Sequence, residues 1–259
     1  MMSSAAISGE RTWLRVVAPV AVGVFALVLW QVLVSLGGVD DYLLPGPAEI
    51  VEEFLAFAPA IGAAALTTGT NALVGLIVGA LLGIALAALA ARWRILDLMT
   101  APVVAGLAVI PIVALAPVLN SMFGADSQVG RQTIAALASF VPVFVNTLRG
   151  FRQVLPVHRD LMRAYAAGSG QVLRAVTLPT ALPFVFTGIR LASSLAVISA
   201  LVAEYFGGPR GGLGAMISTS AATSAYARAW AYVFAAILLG LLFYVVTLLL
   251  ERAAVRRRH

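Results

Sequence analysis

The feature that most constrains this chain is the recurrence of apolar runs long enough to cross a bilayer. Val16 to Leu36 is 21 residues without a charge, and at about 1.5 Å per residue such a run spans roughly 30 Å of hydrocarbon. Further runs follow at 73–91, 98–119, 132–148, 183–206 and 230–250. Only 11% of the residues are charged, against about a quarter in soluble domains, so a water-exposed surface cannot be built from this composition. The 12 Pro and 23 Gly scattered through the runs argue against the alternating strands of a closed barrel. The expected fold class is an all-α polytopic membrane protein with six transmembrane helices.

The charges set an orientation. All 17 basic residues are Arg and there is no Lys. Cytoplasmic loops collect basic residues. With the N-terminus inside, six spans place Arg11, Arg15, Arg92, Arg94, Arg149, Arg152, Arg159, Arg163, Arg174, Arg190, Arg252, Arg256, Arg257 and Arg258 on that side. Arg131, Arg210 and Arg228 fall outside, so the split is 14 to three. Asp40, Asp41, Glu49, Glu52, Glu53, Asp126 and Glu204 lean to the outer face. Both termini are therefore expected in the cytoplasm: a segment 1–15, the six-helix domain 16–252 and a basic tail 253–259. The run at 16–36 has no small-residue cleavage site and reads as a retained span rather than a signal peptide. Basic loops between apolar runs favour membrane orientation over nucleic-acid binding. With no Cys, disulfides and thiolate chemistry are excluded.

Residues 150–182 are too polar to insert and too patterned for a plain linker. Pro156 can open a helix near His158, Arg159 to Ala167 contains no breaker, and Gly168 and Gly170 stop it. A second short helix is expected to end at Leu178-Pro179. The resulting elbow exposes Leu161, Met162 and Tyr165 beside Arg159 and Arg163, an apolar knob rimmed by charge that suits a partner groove.

Asp160-Leu161-Met162-Arg163-Ala164-Tyr165-Ala166-Ala167, then Gln171-Val172-Leu173-Arg174 and Leu178-Pro179-Thr180-Ala181-Leu182-Pro183, resemble the coupling loop of ABC importer permeases. Other matching pieces are Leu44-Pro45-Gly46-Pro47, Ile110-Pro111, Phe123-Gly124, Phe144-Val145-Asn146-Thr147, Ala203-Glu204-Tyr205-Phe206 and Gly212-Leu213-Gly214. Together they resemble the nitrate, sulfonate and taurine type of permease, and most closely permeases for thiamine pyrimidine precursors. Asp160 stands where the family has Glu, Leu161 and Met162 where it has two Ala, and Ala166 where it usually has Gly. Gly168, two residues on, is expected to supply the flexibility of the bend.

The resemblance implies a type I importer permease in the cell membrane, working as a homodimer with a pair of ATP-binding subunits and an external substrate-binding protein. The coupling residues would be His158, Arg159, Asp160, Leu161, Met162, Arg163, Ala164, Tyr165, Ala166, Ala167, Gly168, Leu178 and Pro179. The substrate would be a thiamine pyrimidine precursor, with sulfonate, taurine or nitrate as alternatives. ATP and Mg would sit on the partner, and no cofactor or metal is expected in this chain. Without Lys the chain cannot contain the phosphate-cradling G-x-x-x-x-G-K-[ST] loop, so it is not itself expected to be an enzyme.

A polar path is expected among Asn120, Ser139, Asn146, Ser193, Ser194, Ser199 and Glu204, although hydroxyls in membrane helices also bond their own backbone. Glu204 is either a gate contact or the partner of Arg210 or Arg228. Arg190 is expected to snorkel to the cytoplasmic face. Gly75, Gly79 and Gly83, continued by Ala87 and Ala91, form a small-residue ridge that serves either a moving or dimerising seam or packing within the chain. A stand-alone secondary transporter is the alternative function, but it calls for ionisable groups at mid-membrane. An intramembrane hydrolase needs a base beside its nucleophile, and the only two His are His158 and His259.

Overall fold

A computed structural model describes residues 6–37, 44–124, 127–207 and 211–256, with side chains at 17–37, 44–111, 114–124, 127–207 and 211–254. Helix is the only regular structure among the described residues: α1 (Ala6–Gly37), α2 (Pro47–Ala56), α3 (Ala58–Arg92), α4 (Arg94–Val109), α5 (Ile112–Phe123), α6 (Val129–Arg152), α7 (Pro156–Ala164), α8 (Ser169–Val172), a π-helical turn (Leu173–Thr177), α9 (Leu178–Tyr205), α10 (Leu213–Ala222) and α11 (Tyr226–Arg256). Five helical stretches are long and apolar enough to cross a membrane, and α4 with α5 makes a sixth if that bent pair is one span. Asp40, Asp41, Asp126, Arg210 and residues 1–5 and 257–259 lie outside the described residues.

The core is a bundle of α3, α6 and α9, with α11 against α9, α10 wedged among them, and α1 at the periphery. What lets α3 and α6 meet is the small-residue ridge. A methyl at Gly75 would overlap Ala135, one at Gly79 would lie 2.8 Å from the Ser139 Cβ, and one at Gly83 would lie 3.0 Å from the Phe140 carbonyl. The ridge thus serves packing within the chain. In lipid, where apolar surface gains little by helix association, such close backbone approach supplies the dispersion contact that holds the pair. Ala72, Leu76, Ala80, Ala135, Val143, Ala192 and Ala196 fill the seam.

Three helices differ from the expected runs. α3 begins 15 residues before Leu73, because Thr67, Thr68, Thr70 and Asn71 are inside the helix rather than in a loop before it. The third run is broken: α4 and α5 meet at 101°. Pro111 lacks an N–H, and it holds Ile110 extended at φ −64°, ψ 124°. Helix is also continuous from Ser169 through Pro179 to Tyr205, so Leu178-Pro179 does not end the second elbow helix. The π turn accommodates the proline, with the Leu178 N–H reaching back five residues to the Leu173 carbonyl.

Candidate functional site

The segment between α6 and α9 projects from the bundle. Pro156 occupies the first turn of α7, where its missing N–H costs nothing. No side chain of α7 is buried; Tyr165 is 76% and Leu161 53% exposed. Asp160 and Arg163 pair on one face at 3.2 Å. The helix ends at Ala164, and two residues on Ala166 is left-handed, with φ 49°. The Ala167 N–H donates to the Met162 carbonyl at 3.0 Å and the Ala166 N–H to the Arg163 carbonyl at 2.9 Å. This is the double bond of a Schellman ending, which usually takes Gly at the left-handed position. The bend therefore sits on Ala166 and not on Gly168, whose φ is −69°. Gly168 instead caps α8, its N–H donating to Gln171 Oε1 at 2.8 Å.

At the other end of the bundle a second cluster is enclosed. Glu204, 0% exposed, accepts from the Thr68 hydroxyl at 2.7 Å, the Asn71 amide at 3.1 Å and the Gly214 N–H at 3.2 Å. Thr68 in turn accepts from the Leu213 N–H at 2.8 Å. Asn71 donates to Gln128 Oε1 at 2.9 Å and accepts from Gln132 at 3.3 Å, and Arg131 donates to Gln128 at 2.9 Å. Three helices, α3, α9 and α10, meet at one carboxylate, and α6 joins them through Gln132 and Asn71. Gly212, at φ 93°, lies against that carboxyl group, where any Cβ would overlap it. The pieces Ala203-Glu204-Tyr205-Phe206 and Gly212-Leu213-Gly214 are thereby brought into contact.

Arg228, expected as a partner of Glu204, instead pairs with Glu53 of α2 at 2.9 Å and covers the Phe57 ring at 3.7 Å. Arg210 lies outside the described residues. Thr68, Asn71, Gln128, Arg131 and Gln132 were not legible as site residues. Their signal is spacing: 68 and 71, and 128, 131 and 132, each fall on one helical face.

The remaining path residues do not converge. Asn120 donates to the Ala203 carbonyl at 3.2 Å, beside Glu204. Ser139 donates to the Ala135 carbonyl at 2.7 Å and Asn146 to that of Pro142 at 2.8 Å. Ser193 bonds the Arg190 carbonyl at 2.7 Å and meets Thr247 at 3.1 Å. Ser199 is buried, and Ser194 lines an apolar groove between α9 and α11. Arg190 pairs with Glu251 at 3.0 Å, and Thr187 donates to the same carboxylate at 3.1 Å. Among the described residues no three His, Asp or Glu side chains gather as a metal site.

Comparison with known proteins places this geometry. A family model described as binding-protein-dependent transport system inner membrane component matches residues 75–259. The riboflavin transport system permease protein of Chloroflexus aurantiacus is 34% identical, over 89% of this chain and 86% of that protein. The formylaminopyrimidine transport permease protein of Halalkalibacterium halodurans is 29% identical, over 71% and 74%. A crystal structure of an amino acid ABC transporter with histidines superposes with a TM-score of 0.61 at 15% identity, over 78% of this chain and 96% of that one, a likeness of fold.

Proposed function

This chain belongs to the family of binding-protein-dependent transport system inner membrane components, and we propose that it couples a small-solute path to a separate ATPase through residues 156–179. It is a multi-pass membrane permease subunit of an ABC importer, and its relatives are transport proteins rather than enzymes. The observation that carries the coupling reading is α7, a short helix with no buried side chain, joined to α9 by continuous helix from Ser169 onward. A push on the elbow would pass along that helix into the bundle as a rigid-body movement. The arginine asymmetry supports a cytoplasmic elbow with both termini on its side.

In this reading two copies of the chain form the path, a pair of ATP-binding subunits holds ATP and Mg, and a substrate-binding protein docks at the end that carries α2 and α10. Glu204 fastens helices there rather than lining the path, since each of its oxygens already faces a donor. The solute proposed is a soluble nitrogen heterocycle of the riboflavin or formylaminopyrimidine kind, ahead of sulfonate, taurine or nitrate. The support is the pair of relatives named for such solutes.

The test is to isolate the tagged chain from native membranes in mild detergent, identify its partners by mass spectrometry and assay ATPase activity. Co-purification of an ATPase with a phosphate-binding loop supports the proposal. A stable assembly lacking one, from membranes that express it, would favour a stand-alone transporter.

A further inference from the structure

Beneath the elbow lies a cavity of about 550 Å³ between the C-terminal end of α3, the end of α6 and the coupling segment. Its floor is apolar, from Ala88, Ala91, Phe151 and Leu173, and its polar rim includes Arg92 and Arg159. No acidic residue lines it. The two nearest carboxylates in sequence are already engaged, Asp97 by Arg152 and Asp160 by Arg163. Neither Arg92 nor Arg159 makes an ion pair with a described residue. Trp93, next to Arg92, is 50% exposed, and an exposed tryptophan at the end of a spanning helix marks the headgroup level.

We propose that this cavity binds a phosphate-bearing anion, held by the guanidinium groups of Arg92 and Arg159. Guanidinium presents paired donors that match phosphate oxygens, and basic pockets between membrane helices are suited to anionic lipid headgroups. The apolar floor would take the first methylenes of an acyl chain, which a free phosphate lacks. Arg92 belongs to the bundle and Arg159 to the elbow, so one bound anion would tie the two together. The site does not depend on which solute the chain carries.

The probe is the purified full chain, delipidated and offered phosphatidylglycerol or phosphatidylcholine in equal amounts, with adducts counted by native mass spectrometry. In parallel, thermal stability is followed in phosphate and in chloride at matched ionic strength. Phosphatidylglycerol is expected to be preferred, and the preference should fall about five-fold for each arginine removed in Arg92→Gln and Arg92→Gln/Arg159→Gln. Arg94→Gln, outside the cavity, should keep it and serves as the folding control. If lipid adducts do not discriminate but the double variant loses a phosphate-induced thermal shift, the source is a free anion. A double variant that keeps both the lipid preference and the phosphate shift, or a wild type that shows neither, would overturn the proposal.

Discussion

Thr68 on α3 and Glu204 on α9, 136 residues apart, share a 2.7 Å hydrogen bond in which the hydroxyl donates to the carboxylate while accepting the Leu213 amide. A hydroxyl can do both, and valine of nearly the same shape can do neither. Thr68→Val should therefore strand the buried Leu213 amide and take one of three donors from the buried carboxylate, at a cost of about 2–3 kcal/mol. Thr68→Ser should recover most of it. Melting of the purified variants in detergent checks both.

The left-handed Ala166 leads to an unusual expectation, a substitution at the coupling bend that helps. A Cβ in that region costs about 1 kcal/mol or more, and Ala166→Gly removes the cost without altering the Ala166–Arg163 and Ala167–Met162 bonds. The variant should match or exceed wild type in solute-stimulated ATPase activity of the assembled transporter. Ala166→Val, β-branched at the same φ, should fall well below it.

Of the knob read from the pattern, Leu161 and Tyr165 are exposed and Met162 is half-buried beside them. Tyr165→Ala with Met162→Asp should abolish uptake while leaving membrane insertion and detergent melting unchanged. Normal uptake by that double variant would remove the elbow from the coupling reading.

Gly79 tests the α3–α6 seam. A side chain there meets the Ala136 carbonyl and Ser139, so Gly79→Leu should separate the two helices and lower stability by more than about 3 kcal/mol, as overpacking against backbone does. Gly62, on the same helix, has nothing within 4 Å. Gly62→Ala should be neutral or slightly stabilising. Comparing monodisperse yield of the two variants separates packing from propensity.

What could be read from sequence divides along physical lines. Apolar length announces a span, so Val16–Leu36 and 230–250 fall within α1 and α11. Polar residues inside a helix erase that signal: Thr67 to Asn71 and Gly130 to Gln132 resemble loop ends until their partners across the bundle are known. The elbow was legible because Pro156 and Leu161-Met162-Tyr165 are local. Its bend was not, since Ala carries no mark of a positive φ and Gly168 offered the more obvious hinge. Pro111 lacks an N–H, but that alone does not fix the 101° corner between α4 and α5.

Arg190 and Glu251 give the sharpest energetic test. They face each other at 3.0 Å between α9 and α11, with side chains 25% and 16% exposed, and Thr187 adds a donor to the carboxylate. Removing one partner leaves a charge without its counterion in a poorly solvated place, which costs about 3–5 kcal/mol for a buried pair. Removing both leaves no stranded charge. Arg190→Leu and Glu251→Leu should each lower thermal stability strongly, while the double variant should recover much of the loss. Because α9 is continuous with the elbow, the single variants should also weaken the dependence of ATPase activity on solute more than they weaken basal hydrolysis. A double variant as unstable as the sum of the singles would mean that the two side chains do not act as a pair.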